Sequence, residues 1–196
     1  MSIKIVVALS LVISSLFGGW ESIDHRVAKD ESGIWAAQDK LPFYLAAAVG
    51  VGALMEGNQT RMGRTLWQSI DSSVLSYAVT MAGKEVFSRQ RPADTDNPNR
   101  WFSGGESMPS GHTAITTALI TPFILEYSEE NPWLHLLWGV PLYQAIGRIK
   151  AQEHWQSDVI AGFGVGVGSA LAARHYGPWV VRLMPGGVYA GISLNW

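Results

Sequence analysis

The fold of this chain is decided by an apolar stretch without a polar stripe, Pro109–Tyr127, which reads PSGHTAITTALITPFILEY. From Thr113 onward, every residue before Glu126 is apolar or carries a hydroxyl group. A helix that is apolar on all sides is buried in a core or lies in lipid. Four further apolar segments and an N-terminal apolar run have the same character: Leu41–Met55, Leu66–Gly83, Trp133–Ile149, Asp158–Ala173 and Ile5–Trp20.

The number of these segments predicts an all-α, six-helix, membrane-embedded bundle. The chain has 196 residues, of which 47% are hydrophobic and 15% are charged. That length suffices for one domain, and six apolar helices cannot all be buried in one soluble core of this size. Each segment is near the lower limit of the roughly 17–25 residues that cross a bilayer. The pairs Gly162/Gly166 and Gly164/Gly168 are typical of helices that approach each other closely in lipid.

Composition also divides the chain into four parts. Residues 1–20 begin with Met1 and Lys4 and predict a signal anchor, with a cleaved signal peptide as the alternative. Residues 21–40 are polar and predict an exposed connection to the helical domain, residues 41–176. In residues 177–196, the turn Pro185-Gly186-Gly187 and the alternating apolar residues after it predict a short strand-like tail. Trp179–Met184 is its possible hairpin partner.

Charge and cysteine content exclude several classes of function. A net charge of −2 argues against a nucleic-acid partner, which would require a basic face. The absence of cysteine excludes disulfide scaffolds, thiolate zinc sites, iron–sulfur clusters and cysteine nucleophiles. The sequence also offers no carboxylate cluster for magnesium, so we expect neither a metal nor another cofactor.

Five residues at the ends of the apolar segments predict a phosphate-binding pocket. Lys84 and Arg91 are seven residues apart, two helical turns, so both can point at one ligand. Arg148 lies near the end of the apolar segment Trp133–Ile149 and adds a third cation. Ser110 is a predicted helix N-cap, and Gly111 lets a ligand approach the N–H groups at that helix start. Taken singly, Lys84 and Arg91 are also typical of side chains that extend from an apolar helix to lipid headgroups.

Two histidines and a carboxylate predict nucleophilic chemistry beside those cations. His154 and Asp158 are four residues apart and therefore neighbours on one helical face. A carboxylate there can fix one imidazole nitrogen as N–H and leave the other as a nucleophile. His112 directly precedes the apolar segment Thr113–Tyr127. A lone histidine at a helix start is also typical of a cap or surface residue. If the segments are antiparallel helices, these residues and the cations converge on one side of the bundle.

Three motifs together resemble the signature of a known family. They are KEVFSRQRP at Lys84–Pro92, PSGH at Pro109–His112 and RIKAQEHWQSD at Arg148–Asp158. Their order and internal gaps resemble the type 2 phosphatidic acid phosphatase superfamily, which includes bacterial acid phosphatases and vanadium haloperoxidases. That family usually has serine before the arginine of the third motif, where this chain has Gly147. The missing hydroxyl removes one phosphate hydrogen bond.

The resemblance implies a metal-independent phosphatase. His154 would attack phosphorus to form a phosphohistidine, Asp158 would orient His154, and His112 would protonate the leaving oxygen. The phosphoryl oxygens would be held by the remaining predicted residues, Lys84, Arg91, Ser110, Gly111 and Arg148. The implied substrate is a lipid phosphate monoester or diphosphate: phosphatidic acid, phosphatidylglycerol phosphate, a polyprenyl diphosphate or a lipid A phosphate.

The implied location is the bacterial inner membrane, in contact with membrane lipids, with several crossings and the active site facing the periplasm. The main alternative is a soluble periplasmic acid phosphatase released by signal cleavage. Three other functions fit the same motifs: a lipid phosphotransferase, a vanadate haloperoxidase and a non-catalytic phosphate-binding membrane protein. Because binding alone requires no nucleophile, the set of His112, His154 and Asp158 argues against the last of these.

Overall fold

The computed structural model describes residues 23–176 and the backbone of two short strands within the remaining tail. Within the described residues there are five α-helices: α1 Leu41–Glu56, α2 Arg61–Phe87, α3 Gly111–Tyr127, α4 Gly139–Lys150 and α5 Gln156–Tyr176. Two 3-10 helices, Gly33–Ala37 and Pro132–Trp138, precede α1 and α4. The strands β1 Val181–Met184 and β2 Gly187–Ala190 pair antiparallel, with Val181 opposite Ala190.

Helix α3 lies at the centre and contacts each of the other four α-helices. Two of its buried hydroxyl groups are satisfied inside the helix, since Thr117 and Thr121 donate to the carbonyls of Thr113 and Thr117. Such back-bonding lets a helix bury threonine without an unpaired polar group. Leu119 joins a core cluster with α1 and α2, whose other members are Val49, Ala53, Leu66 and Trp67. Burying a leucine of this kind stabilises the fold by about 1.5–3 kcal/mol.

One of the two predicted glycine pairs brings α5 against α3. A Cβ atom at Gly162 would lie 2.5 Å from the carbonyl oxygen of Ser110, and one at Gly166 would lie 2.5 Å from that of Ala114. No side chain fits in these gaps, so the two backbones touch here. At Gly164 and Gly168 a Cβ would meet no atom within 4 Å in the described part of the chain. The pair Gly164/Gly168 therefore plays no part in the close approach.

The predicted all-α class agrees with the helical domain, whereas the details of the bundle differ from the expectation. The predicted helix Trp133–Ile149 is divided into the 3-10 helix Pro132–Trp138 and α4, with α4 starting at Gly139. The helix predicted for the N-terminal run Ile5–Trp20 lies outside the described residues. Among the described helices, none combines the length and the sustained hydropathy that a bilayer crossing requires.

The polar segment 23–40, which we call the strap, lies across the helix ends instead of being fully exposed. Asp24 and Gln38 are buried, so the prediction of an exposed connection is wrong for these residues. The strap is held by backbone groups as well: the N–H of Asp30 donates to the carbonyl of Lys150, and Gln152 donates to that of Val27. These bonds fix the strap against the loop that joins α4 to α5.

Candidate active site

The residues predicted for the pocket come together at one end of the bundle. Arg91 and Arg148 both contact the carboxylate of Glu153, in the loop between α4 and α5. Arg148 and His112 both contact the carboxylate of Asp39, in the strap. The C-terminal ends of α2 and α4 thus meet the N-terminal ends of α3 and α5, as expected for antiparallel neighbours.

His154 is buried beside α5, with only 2% of its surface exposed. Its Nδ1 atom lies 2.7 Å from the carbonyl oxygen of Ser107. A carbonyl only accepts hydrogen bonds, so Nδ1 carries the proton and Nε2 of the neutral ring has a free lone pair. Burial lowers the pKa of His154 well below its usual value, and the neighbouring Arg148 and Lys84 lower it further. The geometry and the charge therefore both favour the neutral, nucleophilic form.

Asp158 does not bond directly to His154, contrary to the expectation that it fixes the ring. The Oδ2 atom of Asp158 lies 3.9 Å from Nδ1 of His154. Instead, the hydroxyl of Ser107 donates to Oδ2 of Asp158, while the carbonyl of the same residue accepts from His154. Ser107 therefore connects the carboxylate to the imidazole, and Asp158 acts on His154 through it.

A buried arginine that carried no predicted role neutralises Asp158. Arg89 is 1% exposed and lies 2.6 Å from Oδ1 of Asp158 and 2.6 Å from Oδ2 of Asp24 in the strap. Its guanidinium also lies over the rings of Trp101 and Trp155. Burial raises the pKa of Asp158, and the Arg89 cation opposes that rise. Arg89 stands two residues before Arg91, a spacing that by itself indicates no shared face.

The three predicted cations are each held by an acceptor at the rim. Arg148 Nη1 lies 2.9 Å from Asp39 Oδ1, and Arg91 pairs with Glu153. Lys84 donates to the carbonyl of Glu106. Burial lowers the pKa of Lys84 and of Arg148, and the proximity of Arg91 lowers the pKa of both further. The anionic rim positions the cations and offers carboxylates that a phosphate dianion would displace.

His112 stands at the entrance, with Nε2 3.3 Å from Oδ1 of Asp39 and its ring edge-on to Phe43. Burial lowers the pKa of His112, as does Arg148, whereas Asp39 raises it. In the electrostatic balance, Asp39 thus opposes the loss of the His112 proton. On balance the pKa of His112 is lowered, so its protonated ring gives up a proton more readily than that of an ordinary histidine.

Ser110 occupies the N-cap position of α3 as predicted, but no capping bond from its side chain occurs within the described residues. Its hydroxyl pairs with that of Thr113 at 3.0 Å, and its N–H donates to the carbonyl of Asp158 at 2.9 Å. Ser110 therefore ties α3 to α5. Gly111 lies next to the cations, because a Cβ there would sit 4.0 Å from Cε of Lys84.

Among the described residues, no group of three or more histidine, aspartate or glutamate side chains is arranged to hold a metal ion. The described site contains one buried neutral imidazole, a second imidazole beside Asp39 and the three cations Lys84, Arg91 and Arg148. Such a set can bind a phosphate dianion and transfer its phosphoryl group.

Comparison with known proteins identifies the family of the chain. A sequence model of the PAP2 superfamily matches residues 65–182, which include every predicted site residue. The chain is 34% identical over 113 residues to the lipid A 1-phosphatase of Porphyromonas gingivalis, covering 57% of this chain and 24% of that protein. The chain thus spans about a quarter of that relative's length.

A solved structure shows the same fold. The crystal structure of Aquifex aeolicus LpxE superposes with a TM-score of 0.50 at 21% identity, covering 69% of this chain and 86% of that one. The sequence match extends over more than half of the chain, and it contains all three motifs. The chain therefore belongs to the PAP2 superfamily, which confirms the family predicted from the motifs.

Proposed function

We propose that this protein is a metal-independent phosphatase that hydrolyses a lipid phosphate monoester through a phosphohistidine intermediate. The observation that carries the proposal is the state of His154: buried, neutral, with Nδ1–H fixed by Ser107 and with cations around it. Phosphoryl transfer depends mainly on positioning and on charge stabilisation, and the pocket supplies both.

The proposed reaction has two steps. Nε2 of His154 attacks phosphorus, the bond from phosphorus to the leaving oxygen breaks, and His112 gives its proton to that oxygen. A water molecule then attacks the phosphohistidine, His112 takes up a proton from it, and the P–N bond breaks to release phosphate. Throughout, Lys84, Arg91 and Arg148 neutralise the charge on the phosphoryl oxygens.

The proposed substrate class is an amphiphilic phosphate, with lipid A 1-phosphate as the first candidate. The relative from Porphyromonas gingivalis is a lipid A 1-phosphatase, which supports this choice. The surface of the molecule supports a lipid environment, because large apolar side chains are exposed along α1 and α2, among them Phe43, Leu54, Met55, Tyr77 and Val86. Exposed apolar surface of this extent is typical of proteins that contact membranes or partners.

The experiment for this proposal compares phosphate release by the wild type and His154→Ala in detergent with EDTA. The panel holds lipid A, phosphatidic acid, phosphatidylglycerol phosphate, a polyprenyl diphosphate and the water-soluble p-nitrophenyl phosphate. We expect release that persists in EDTA and falls by about 1000-fold in His154→Ala, as for the loss of a nucleophile. The exposed His135→Ala is the matched control and is expected to leave activity unchanged.

The outcomes separate the candidate functions. Equal release by the wild type and His154→Ala would overturn the proposed nucleophile. Loss of activity on adding EDTA would overturn the metal-independent reaction. A preference for p-nitrophenyl phosphate over every lipid would favour the soluble acid phosphatase.

We further propose that the enzyme is bound to the bacterial inner membrane with its pocket facing the periplasm. Because the chain contains no cysteine, a single exposed cysteine gives an unambiguous label, and Arg100 in the loop between α2 and α3 is exposed. We expect Arg100→Cys to react with a membrane-impermeant maleimide once the outer membrane is opened. Reaction only after the inner membrane is broken would overturn this orientation.

A further inference from the structure

The strap inserts one uncharged polar side chain beside the pocket. Gln38 directly follows the 3-10 helix Gly33–Ala37 and is 3% exposed. Its Oε1 atom lies 3.4 Å from Nη1 of Arg148 and 3.4 Å from Nε2 of Gln144, both of which are also buried. One side-chain carbonyl thus accepts from two buried donors of α4, one of them the guanidinium of Arg148, with which the third motif begins.

The stem of Gln38 fills the space above Gly147. A Cβ atom at Gly147 would lie 2.7 Å from Cβ and 2.8 Å from Cγ of Gln38. Carbon atoms that are not bonded to each other make their best contact at about 3.5–4.0 Å, so these positions cannot both carry an outward side chain. The glycine of α4 and the glutamine of the strap are therefore complementary in shape.

Arg148 also keeps one donor unused. Its Nε–H has no hydrogen-bond partner among the described residues, although the side chain is only 6% exposed. A buried unpaired N–H costs free energy unless a ligand satisfies it. Since Gln38 and Asp39 hold Nη1 and Glu153 holds Nη2, the guanidinium is fixed with Nε left for another acceptor.

From this geometry we propose that Gln38 is a positioning residue for Arg148, and that it takes over the place and the polar role of a side chain at position 147. This inference rests on the proposed function, because it assigns Arg148 to the phosphoryl group. Gln38 does not touch the phosphate in this account. It orients the guanidinium, and as a neutral group it does so without adding a charge that competes with the dianion.

The test is a swap of the two positions. The variants Gln38→Gly, Gly147→Ser and Gln38→Gly/Gly147→Ser are compared with the wild type by kcat, KM and inhibition by orthovanadate. We expect Gln38→Gly to raise KM and the vanadate inhibition constant about 5-fold, as for the loss of one ordinary hydrogen bond, with a small change in kcat. Gly147→Ser alone should raise KM and the vanadate inhibition constant by at least about 10-fold, because the new Cβ atom would collide with Gln38.

In the double variant, glycine at position 38 removes both the Cβ and the Cγ that would collide with a side chain at position 147, and the serine hydroxyl restores a polar contact near Arg148. We expect KM and vanadate inhibition to return to within about 3-fold of the wild type. A double variant that is as weak as the product of the single effects would overturn the inference. So would a Gln38→Gly variant that loses thermal stability while its vanadate inhibition stays at the wild-type value.

Two controls separate this inference from the proposed function. Gln59→Ala removes an exposed glutamine and should change none of these quantities. If the wild type shows no phosphatase activity, the proposed function fails, and the same four proteins are titrated with inorganic phosphate by calorimetry. Recovery of phosphate affinity in the double variant would still support the coupling of positions 38 and 147, whereas equal affinity in all four proteins would overturn it.

Discussion

Nδ1 of His154 lies 3.9 Å from Oδ2 of Asp158, so the imidazole and the carboxylate are neighbours without a direct hydrogen bond. Ser107 closes the gap with its carbonyl on one side and its hydroxyl on the other. The carboxylate also accepts from the N–H of Trp155 at 2.8 Å. Asp158 therefore holds the loop that positions His154, and its charge is balanced by Arg89.

Replacing Ser107 by alanine tests this indirect connection. Ser107→Ala removes the hydroxyl bond to Asp158 but retains the carbonyl that fixes His154, so we expect kcat to fall only about 3- to 10-fold. Asp158→Asn should lower kcat more and should destabilise the fold by about 3 kcal/mol, since it leaves Arg89 with one buried carboxylate. Kinetics and urea unfolding measure the two effects. A greater loss of kcat in Ser107→Ala than in Asp158→Asn would contradict this arrangement.

The ion pair between Asp24 and Arg89 predicts that the strap contributes to stability. Asp24→Ala removes a carboxylate that also accepts from the N–H and the hydroxyl of Ser157. We expect the free energy of unfolding to fall by about 3–5 kcal/mol, the cost of breaking a buried pair. Asp30→Ala is the matched control in the same segment, because the Asp30 carboxylate accepts from the neighbouring Ser32 and not from a buried arginine, and its loss should cost much less stability than that of Asp24. Equal losses in the two variants would show that burial of Asp24 is unimportant.

The two histidines predict activity on the acidic side of neutrality. His154 must be neutral to attack, and its lowered pKa keeps it neutral below the usual value of 6.5. His112 must be protonated to act as an acid, and its pKa is lowered as well. Activity therefore declines as the pH rises through the lowered pKa of His112. The maximum of kcat/KM should therefore lie below pH 6.5.

A substitution in the strap tests the origin of that pH profile. Asp39 raises the pKa of His112, so Asp39→Asn should move the descending limb of the profile to lower pH and leave the ascending limb in place. Movement of the ascending limb instead would assign the proton donor to another group. The measurement is kcat/KM against pH for both proteins with one substrate.

The glycines of α5 give a paired test of the helix contact. Gly166→Ala places a methyl group 2.5 Å from the carbonyl oxygen of Ala114, so we expect a loss of about 1–3 kcal/mol in the free energy of unfolding. Gly164→Ala meets open space in the described structure and should stabilise the helix by up to about 1 kcal/mol. Urea unfolding of both variants is the measurement. A destabilising Gly164→Ala would show that this face of α5 is in fact covered.

Several features of the protein follow from the sequence alone. The apolar segments predict the helices, because a run of apolar residues of that length needs a buried or lipid-covered surface. The placement of the motifs at segment ends predicts which side chains meet, because helix ends in an antiparallel bundle lie together, and the structure brings Arg91, His112 and Arg148 to one end. The shared helical faces predicted for Lys84 with Arg91 and for His154 with Asp158 are wrong, because α2 ends at Phe87 and α5 begins at Gln156.

Other features depend on contacts that leave no periodic pattern. The carbonyl that fixes His154 belongs to Ser107, and every residue has a carbonyl, so no residue type indicates this contact. The partners of Arg89 come from Asp24 at one end of the chain and Asp158 near the other. The composition of the strap indicates exposure, because polar residues are usually solvated.

Gly147 shows the same division between sequence and tertiary structure. By its sequence, this position is only a glycine where a hydroxyl group is expected. The physical reason for the glycine is visible in the folded protein, because the strap packs on α4 and Gln38 occupies the space that a side chain at position 147 would need. The sequence alone determined which residues are candidates for the reacting groups, because its three motifs carry them. The tertiary structure alone decided which distant atoms hold those groups in place, because packing joins segments that no periodicity relates.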